Sequence, residues 1–140
     1  LVLHASTIQN AASDCIDSDF SFGIIERNHI RQCGGDAIDM NHSFFNINFN
    51  ILNENNDKGL SCGEKSVCKA QSNLFNANAT AIAAKDSAYL ISTRNRYVDN
   101  EIGIASFVKK PWYTSPHIRD TNSVYRGNGV KRASLGFFQY

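Results

Sequence analysis

The sequence predicts an all-β chain wound as a parallel β-helix, a solenoid of about six coils with about 22 residues in each. Three observations predict it. An aliphatic residue recurs at a constant spacing of 22, as Ile16, Ile38, Leu60, Ile82 and Ile104. The columns beside it keep register: Cys15, Ala37, Gly59, Ala81 and Gly103 precede the marker, and Ser18, Met40, Cys62, Ala84 and Ser106 follow two residues later. An Asn with an apolar residue two places on recurs once per unit, as Asn28/Ile30, Asn50/Leu52, Asn73/Phe75, Asn95/Tyr97 and Asn122/Val124.

Composition is consistent with this reading. A chain of 140 residues fits one domain, residues 1–140, and the formal net charge of +1 implies no polyanion-binding surface such as nucleic acid requires. No apolar run reaches the roughly 18 residues of a membrane span. The two prolines, Pro111 and Pro116, lie close together, Asn is abundant, and blocks of helix-favouring residues are missing. That balance favours short strands between tight turns. The opening LVLHASTIQN has neither an initiating Met nor the pattern of a signal peptide, so a piece of a longer protein is expected.

Taken in order, residues 1–13 read as the second half of a coil, because Ile8 stands 22 before Ile30 and Ala12 matches Gly34. The units starting at Asp14, Asp36, Asp57 and Ala79 follow, and a longer one starts at Glu101. Gly34, Asn56, Asn78 and Asn100 stand four residues before successive markers and read as turn residues, since Asn tolerates left-handed backbone angles. The Asn-x-apolar landmarks are spaced 22, 23, 22 and 27. The spacing of 23 predicts one extra residue between Leu60 and Asn73, and that of 27 an insertion of five in the last unit. A 22-residue unit cannot bury a core alone, but stacked coils about 4.8 Å apart can, with asparagines bonding to each other along the axis.

Cys15, Cys33, Cys62 and Cys68 form no CxxC pair and no zinc-ligand spacing, and are expected as free, packed thiols. Bridges between Cys62 and Cys68, or Cys15 and Cys33, are the alternative.

The segments GDAIDM, DKGLSCGEKS, ATAIAAKDSA and EIGIASFVKK, with the Asn-x-apolar element between them, resemble right-handed parallel β-helix repeats of the pectin-lyase-like superfamily. The resemblance covers roughly residues 14–128 and looks closest to β-helix regions of bacterial surface proteins, where a lysine-rich, proline-containing loop follows a GIA strand. It implies an extracellular or cell-envelope location and a polysaccharide or protein partner. The architecture also hosts lyases, hydrolases and epimerases.

Chemistry is sought in three places. Asp14 and Asp36 are 22 apart, as are Asp17 and Asp39, so their carboxylates stack and could share Ca²⁺ or act as an acid pair. Solvent-facing and turn roles are the plainer expectation for these four. The string IDMNHS resembles an Asp-His element of pectate lyases with two residues inserted, making His42 a weak candidate base beside Asp17 and Asp39. Lys85 is expected to face solvent, and Arg94 and Arg96 are read as neighbours on one strand face that could hold acidic sugars. The third place is the insertion. Lys109, Lys110, Trp112, Tyr113 and His117 offer a platform for a sugar ring, unless Trp112 folds back as a lid on apolar surface.

The expectation is a β-helix scaffold module of a bacterial envelope or secreted protein that binds carbohydrate or protein. A polysaccharide-cleaving fragment and a spacer assembling end to end through uncapped coils are the alternatives.

Overall fold

The computed structural model describes residues 1–135, which form strands and no helix. In chain order the strands are β1 (Val2–His4), β2 (Thr7–Gln9), β3 (Ile16–Asp19), β4 (Phe22–Glu26), β5 (His29–Arg31), β6 (Ile38–Asn41), β7 (Phe44–Asn48), β8 (Ile51–Asn53) and β9 (Lys58–Gly63). There follow β10 (Val67–Gln71), β11 (Leu74–Asn76), β12 (Thr80–Lys85), β13 (Tyr89–Thr93), β14 (Arg96–Val98), β15 (Ile102–Phe107), β16 (His117–Thr121), β17 (Val124–Arg126) and β18 (Val130–Ser134). Every third strand stacks in parallel: β1-β4-β7-β10-β13-β16 make the first sheet, the series from β2 to β17 the second, and the series from β3 to β18 the third. Six strands per sheet are separated by five inter-coil steps, so the solenoid makes about five turns rather than six.

Ile16, Ile38, Leu60, Ile82 and Ile104 pair in direct register on the third sheet, as their spacing predicts. Two further columns add to the interior, beside those of Phe45, Cys68 and Leu90 and of Met40, Cys62 and Ala84. Ile8, Ile30, Leu52, Phe75, Tyr97 and Tyr125 stack on the second sheet, and Leu3, Ile25, Ile47, Ala70, Ser92 and Asp120 on the first. Ile25, Ile30, Ile38, Ile47, Leu52, Leu60, Ala70, Phe75, Ile82, Tyr97 and Ile104 are buried in one cluster.

The corners follow one rule. Between the first and second sheets each coil places one residue at positive φ: Ala5, Arg27, Phe49, Ser72, Arg94 and Asn122. The next residue turns inward, giving Ser6, Asn28, Asn50, Asn73, Asn95 and Ser123, and from Asn28 onward each accepts a hydrogen bond from the backbone N–H of its counterpart one coil earlier. In this column the left-handed residue is the one before each asparagine, and the next corner departs from the sequence expectation, with Gln32, Glu54, Ala77 and Asp99 at positive φ rather than Gly34, Asn56, Asn78 and Asn100. At the first corner Asn122 occupies the left-handed position, Ser123 takes the ladder, and the true spacing from Asn95 is 28. The insertion is thus six residues beyond a 22-residue coil rather than five.

A second ladder at the next corner runs through Asn55, Asn78, Asn100 and Asn128. Asn55, not Asn56, is the rung. The extra residue of the third unit lies at Glu64–Lys65, where both residues have positive φ. One residue fewer lies at the corner between β11 and β12, which returns β12 to a spacing of 22 from β9.

The cysteines correct a further expectation: both pairs are bridged, Cys15 to Cys33 and Cys62 to Cys68. Sequence neighbours such as Ser and Met in the Cys62 column suggest a plain apolar site, but the turn at Glu64–Lys65 brings Cys68 back against Cys62.

The two ends differ. At the N-terminal end Leu3, Ile8, Cys15 and Ile16 are only partly buried. At the other, the interior columns become polar: Asp120 stands in the Ile25 column and Arg132 in the Ile104 column, 3.1 Å apart. Asp120 also accepts hydrogen bonds from Ser92, Ser123 and Tyr125, each at 2.6 Å.

Candidate functional site

The corner from the third sheet to the first carries the insertion, residues 108–116, as a strap laid back across earlier coils. Asp86 begins the anchorage. Its side chain is buried, and its Oδ1 accepts the backbone N–H groups of Lys109 and Lys110 at 2.7 and 3.0 Å. Thr114 bonds with Ser87 through backbone and side chain. Lys110 Nζ pairs with Glu64 Oε1 one coil lower, which holds the ammonium pKa above its usual value. Tyr113 reaches a coil further, its hydroxyl 3.1 Å from His42 Nε2. His42 Nδ1 lies 3.4 Å from Glu64, and its ring stacks on Phe20 at 4.7 Å.

Trp112 does not fold back as a lid: it is 72% exposed, with its ring 6.2 Å from that of Tyr113. Pro111 constrains the strap at this point, and the backbone contacts on either side turn the indole outward.

Beside the strap, outward side chains of the first sheet form an aromatic column. Phe22, Phe44, Val67, Tyr89 and His117 are in direct register, with His117 stacked on Tyr89 at 4.6 Å. Phe20 and Phe22 are 79% and 77% exposed. An open recess lined by Phe20, Phe22, His42, Phe44, Lys65 and Val67 joins this column to the strap. Lys69 lies 5.2 Å over the Phe44 ring and Lys65 6.0 Å over that of Tyr113, a geometry for weak cation–π attraction. The sequence carries the column as Phe22, Phe44, Val67 and Tyr89 at spacings of 22, 23 and 22, a signal that a search centred on inward markers passes over.

Of the predicted site residues, Asp39, His42, Lys110, Tyr113 and His117 gather on or beside this corner. Asp17 and Asp39 pair in register on the third sheet. Burial and the neighbouring Asp39, Asp19 and Asp14 raise the pKa of Asp17. Asp39 is matched instead by Lys85, whose Nζ lies 3.6 Å from it. Lys85 is buried rather than solvent-facing. Its chain lies where a Cβ on Gly63 would be, 2.6 Å from Lys85 Cε, so the small residue in that column makes room for it.

Asp14 and Asp36 do other work at the entry to the third sheet. Asp14 Oδ1 accepts the N–H of Asp36 at 2.6 Å, and Asp36 Oδ1 that of Lys58 at 2.9 Å. Burial pushes Asp36 up to about 6, with the Lys58 ammonium acting against it. Among the described residues no three or more His, Cys, Asp or Glu side chains gather as a metal site. Arg94 and Arg96 lie at the corner between the first and second sheets. They do not share a strand face: Arg94 is the left-handed corner residue, and only Arg96 is on β14.

Among the described residues no helix is long and apolar enough to cross a membrane. No protein-family model matches the chain, and neither a curated protein nor a solved structure does.

Proposed function

We propose that the chain is a β-helix scaffold module that binds carbohydrate along the strap corner. The observation that carries this reading is the exposed aromatic column Phe22–Phe44–Tyr89–His117 with Trp112 and Tyr113 beside it. Stacked strands repeat every ~4.8 Å, so the column is a rigid strip parallel to the solenoid axis. Flat apolar faces bordered by Lys65 and Lys69 suit sugar rings, which are apolar on one face and hydroxylated at the rim. Two disulfides fit an oxidising compartment, in keeping with a secreted or cell-envelope protein. Isothermal titration with oligosaccharides of varied composition tests the reading. Binding should weaken about tenfold or more in both Trp112→Ala and Tyr89→Ala, and a protein that binds no oligosaccharide overturns it.

A second reading, a polysaccharide-cleaving member of the pectin-lyase-like group, draws on the Asp17–Asp39 register and the raised Asp17 pKa. It requires unsaturated or reducing products from uronate polymers, and their absence with and without added Ca²⁺ removes it.

A further inference from the structure

We propose that the corner between the first and second sheets docks an acidic, amphipathic segment of a partner protein. A recess there has Phe49, Ile51 and Leu74 in its lining and Arg94 and Arg96 with them. Phe49 and Ile51 are 50% and 42% exposed, so the apolar lining is open to an incoming side chain. One coil further, Arg119 lies in register with Ile91, and Val124, two residues before Arg126, lies in register with Arg96.

The four guanidinium groups of Arg94, Arg96, Arg119 and Arg126 are exposed, and none pairs with a carboxylate among the described residues. By contrast Arg27, Lys58, Lys85, Lys110 and Arg132 each lie within 4.0 Å of an acidic side chain. Arg31, Lys65, Lys69 and Lys131 likewise have no carboxylate within 4.0 Å among the described residues, and what sets this corner apart is that Arg94 and Arg96 line a recess together with Phe49, Ile51 and Leu74. Guanidinium forks pair bidentately with carboxylates, which sets the sign and shape of the ligand.

The apolar neighbours decide its class. Ile51 and Leu74 stack in one column with Arg96 and Val124, Ile91 pairs with Arg119 in another, and aliphatic surface gains little from a phosphate backbone or a hydrated sugar. A polypeptide with leucine-like side chains between acidic ones satisfies both sets of groups at once. The site lies across the first sheet from the strap, so it stands independently of carbohydrate binding there.

Fluorescence anisotropy with labelled octapeptides tests the proposal. The probes are a peptide alternating Glu and Leu, its Gln-for-Glu version, an all-Glu peptide, and a single-stranded oligonucleotide. The Glu/Leu peptide should bind at least tenfold more tightly than any other probe, with affinity falling as salt rises. Arg94→Gln with Arg96→Gln should remove that preference while leaving the melting temperature within a few degrees, since Gln replaces Arg without altering the corner backbone. Equal binding of the all-Glu peptide or the oligonucleotide, binding unchanged in the double variant, or no binding of the Glu/Leu peptide overturns the proposal.

Discussion

Asp120 and Arg132, 3.1 Å apart, occupy positions where every earlier coil but one puts apolar groups, and they close the interior with charge. Burial alone would raise the Asp120 pKa. Hydrogen bonds from Ser123, Ser92, Tyr125 and Arg132 outweigh it and hold the carboxyl below its usual value. A carboxyl depressed in the folded state adds stability above the unfolded pKa and loses it as pH falls through the folded one. Stability should therefore drop as pH falls below about 4. In Asp120→Asn the melting temperature should be lower at pH 7 and its fall toward pH 2 shallower. Equal slopes in thermal melts of the two proteins would contradict this.

Asp36 has the opposite sign. Its folded pKa of about 6 lies above the unfolded value, so between roughly pH 4 and 6 the folded state binds more protons than the unfolded one. This group's contribution to stability falls as pH rises through that window. Asp36→Asn keeps an acceptor for the Lys58 N–H and should flatten that part of the profile. Urea midpoints at pH 4, 5 and 6 measure it, and an unchanged slope would refute the assignment.

Asn73 has its side-chain valences filled. Its Oδ1 accepts from the backbone N–H and Nδ2 of Asn50, and its Nδ2 donates to the Ile47 carbonyl and to Asn95 Oδ1. Asn73→Ala leaves several buried polar groups unmatched, at a cost of about 3 kcal/mol or more. Asn56→Ala, one residue outside the second ladder, should stay within about 0.5 kcal/mol. Denaturant unfolding compares them.

The disulfides should contribute unequally. Cys15–Cys33 spans 18 residues and Cys62–Cys68 spans 6. Chain entropy then assigns about 3 kcal/mol to the first and about 2 to the second. Paired Cys→Ser variants should order their unfolding midpoints accordingly, and a reversed order would mean that local packing dominates.

Removing the Asp86 anchor should release the strap without unwinding the coils. Asp86→Ala takes away two charge-assisted bonds, so cleavage by a protease that cuts after aromatic residues should rise about tenfold or more at Trp112 and Tyr113. Cleavage rates equal to those of the unaltered protein would show that Lys110–Glu64, Tyr113–His42 and Ser87–Thr114 hold the strap without Asp86.

The marker column was legible because a stacked coil must bring like residues to like positions, and Ile16 to Ile104 obey that constraint without a gap. Corners were less legible. Asn122 and Asn56 look like rungs, but hydrogen bonding selects Ser123 and Asn55, because a serine hydroxyl caps as an amide does and loop lengths shift by one. The bridges were hidden because stacking distance, not sequence spacing, sets which thiols meet. For Lys85 a period of two assigns a solvent face, whereas its burial depends on Gly63 and on Asp39 two coils below. At the candidate site, the strap's residues could be named from the insertion. Their partners Glu64 and Asp86 could not, since contact across coils depends on how the loop folds back.

In both ladders the amide-to-amide bonds run one way, from an Nδ2 to the Oδ1 of the coil that follows, while the second Nδ2 hydrogen goes back to a main-chain carbonyl of the coil before. The solenoid consequently has a grain. Aligned amides polarise their neighbours, so each rung strengthens the next in sequence order. A coil fits this register in one orientation only, because reversal would set donor against donor. Extra turns inserted at mid-length with their asparagines intact would extend the current, whereas turns joined back to front would break it.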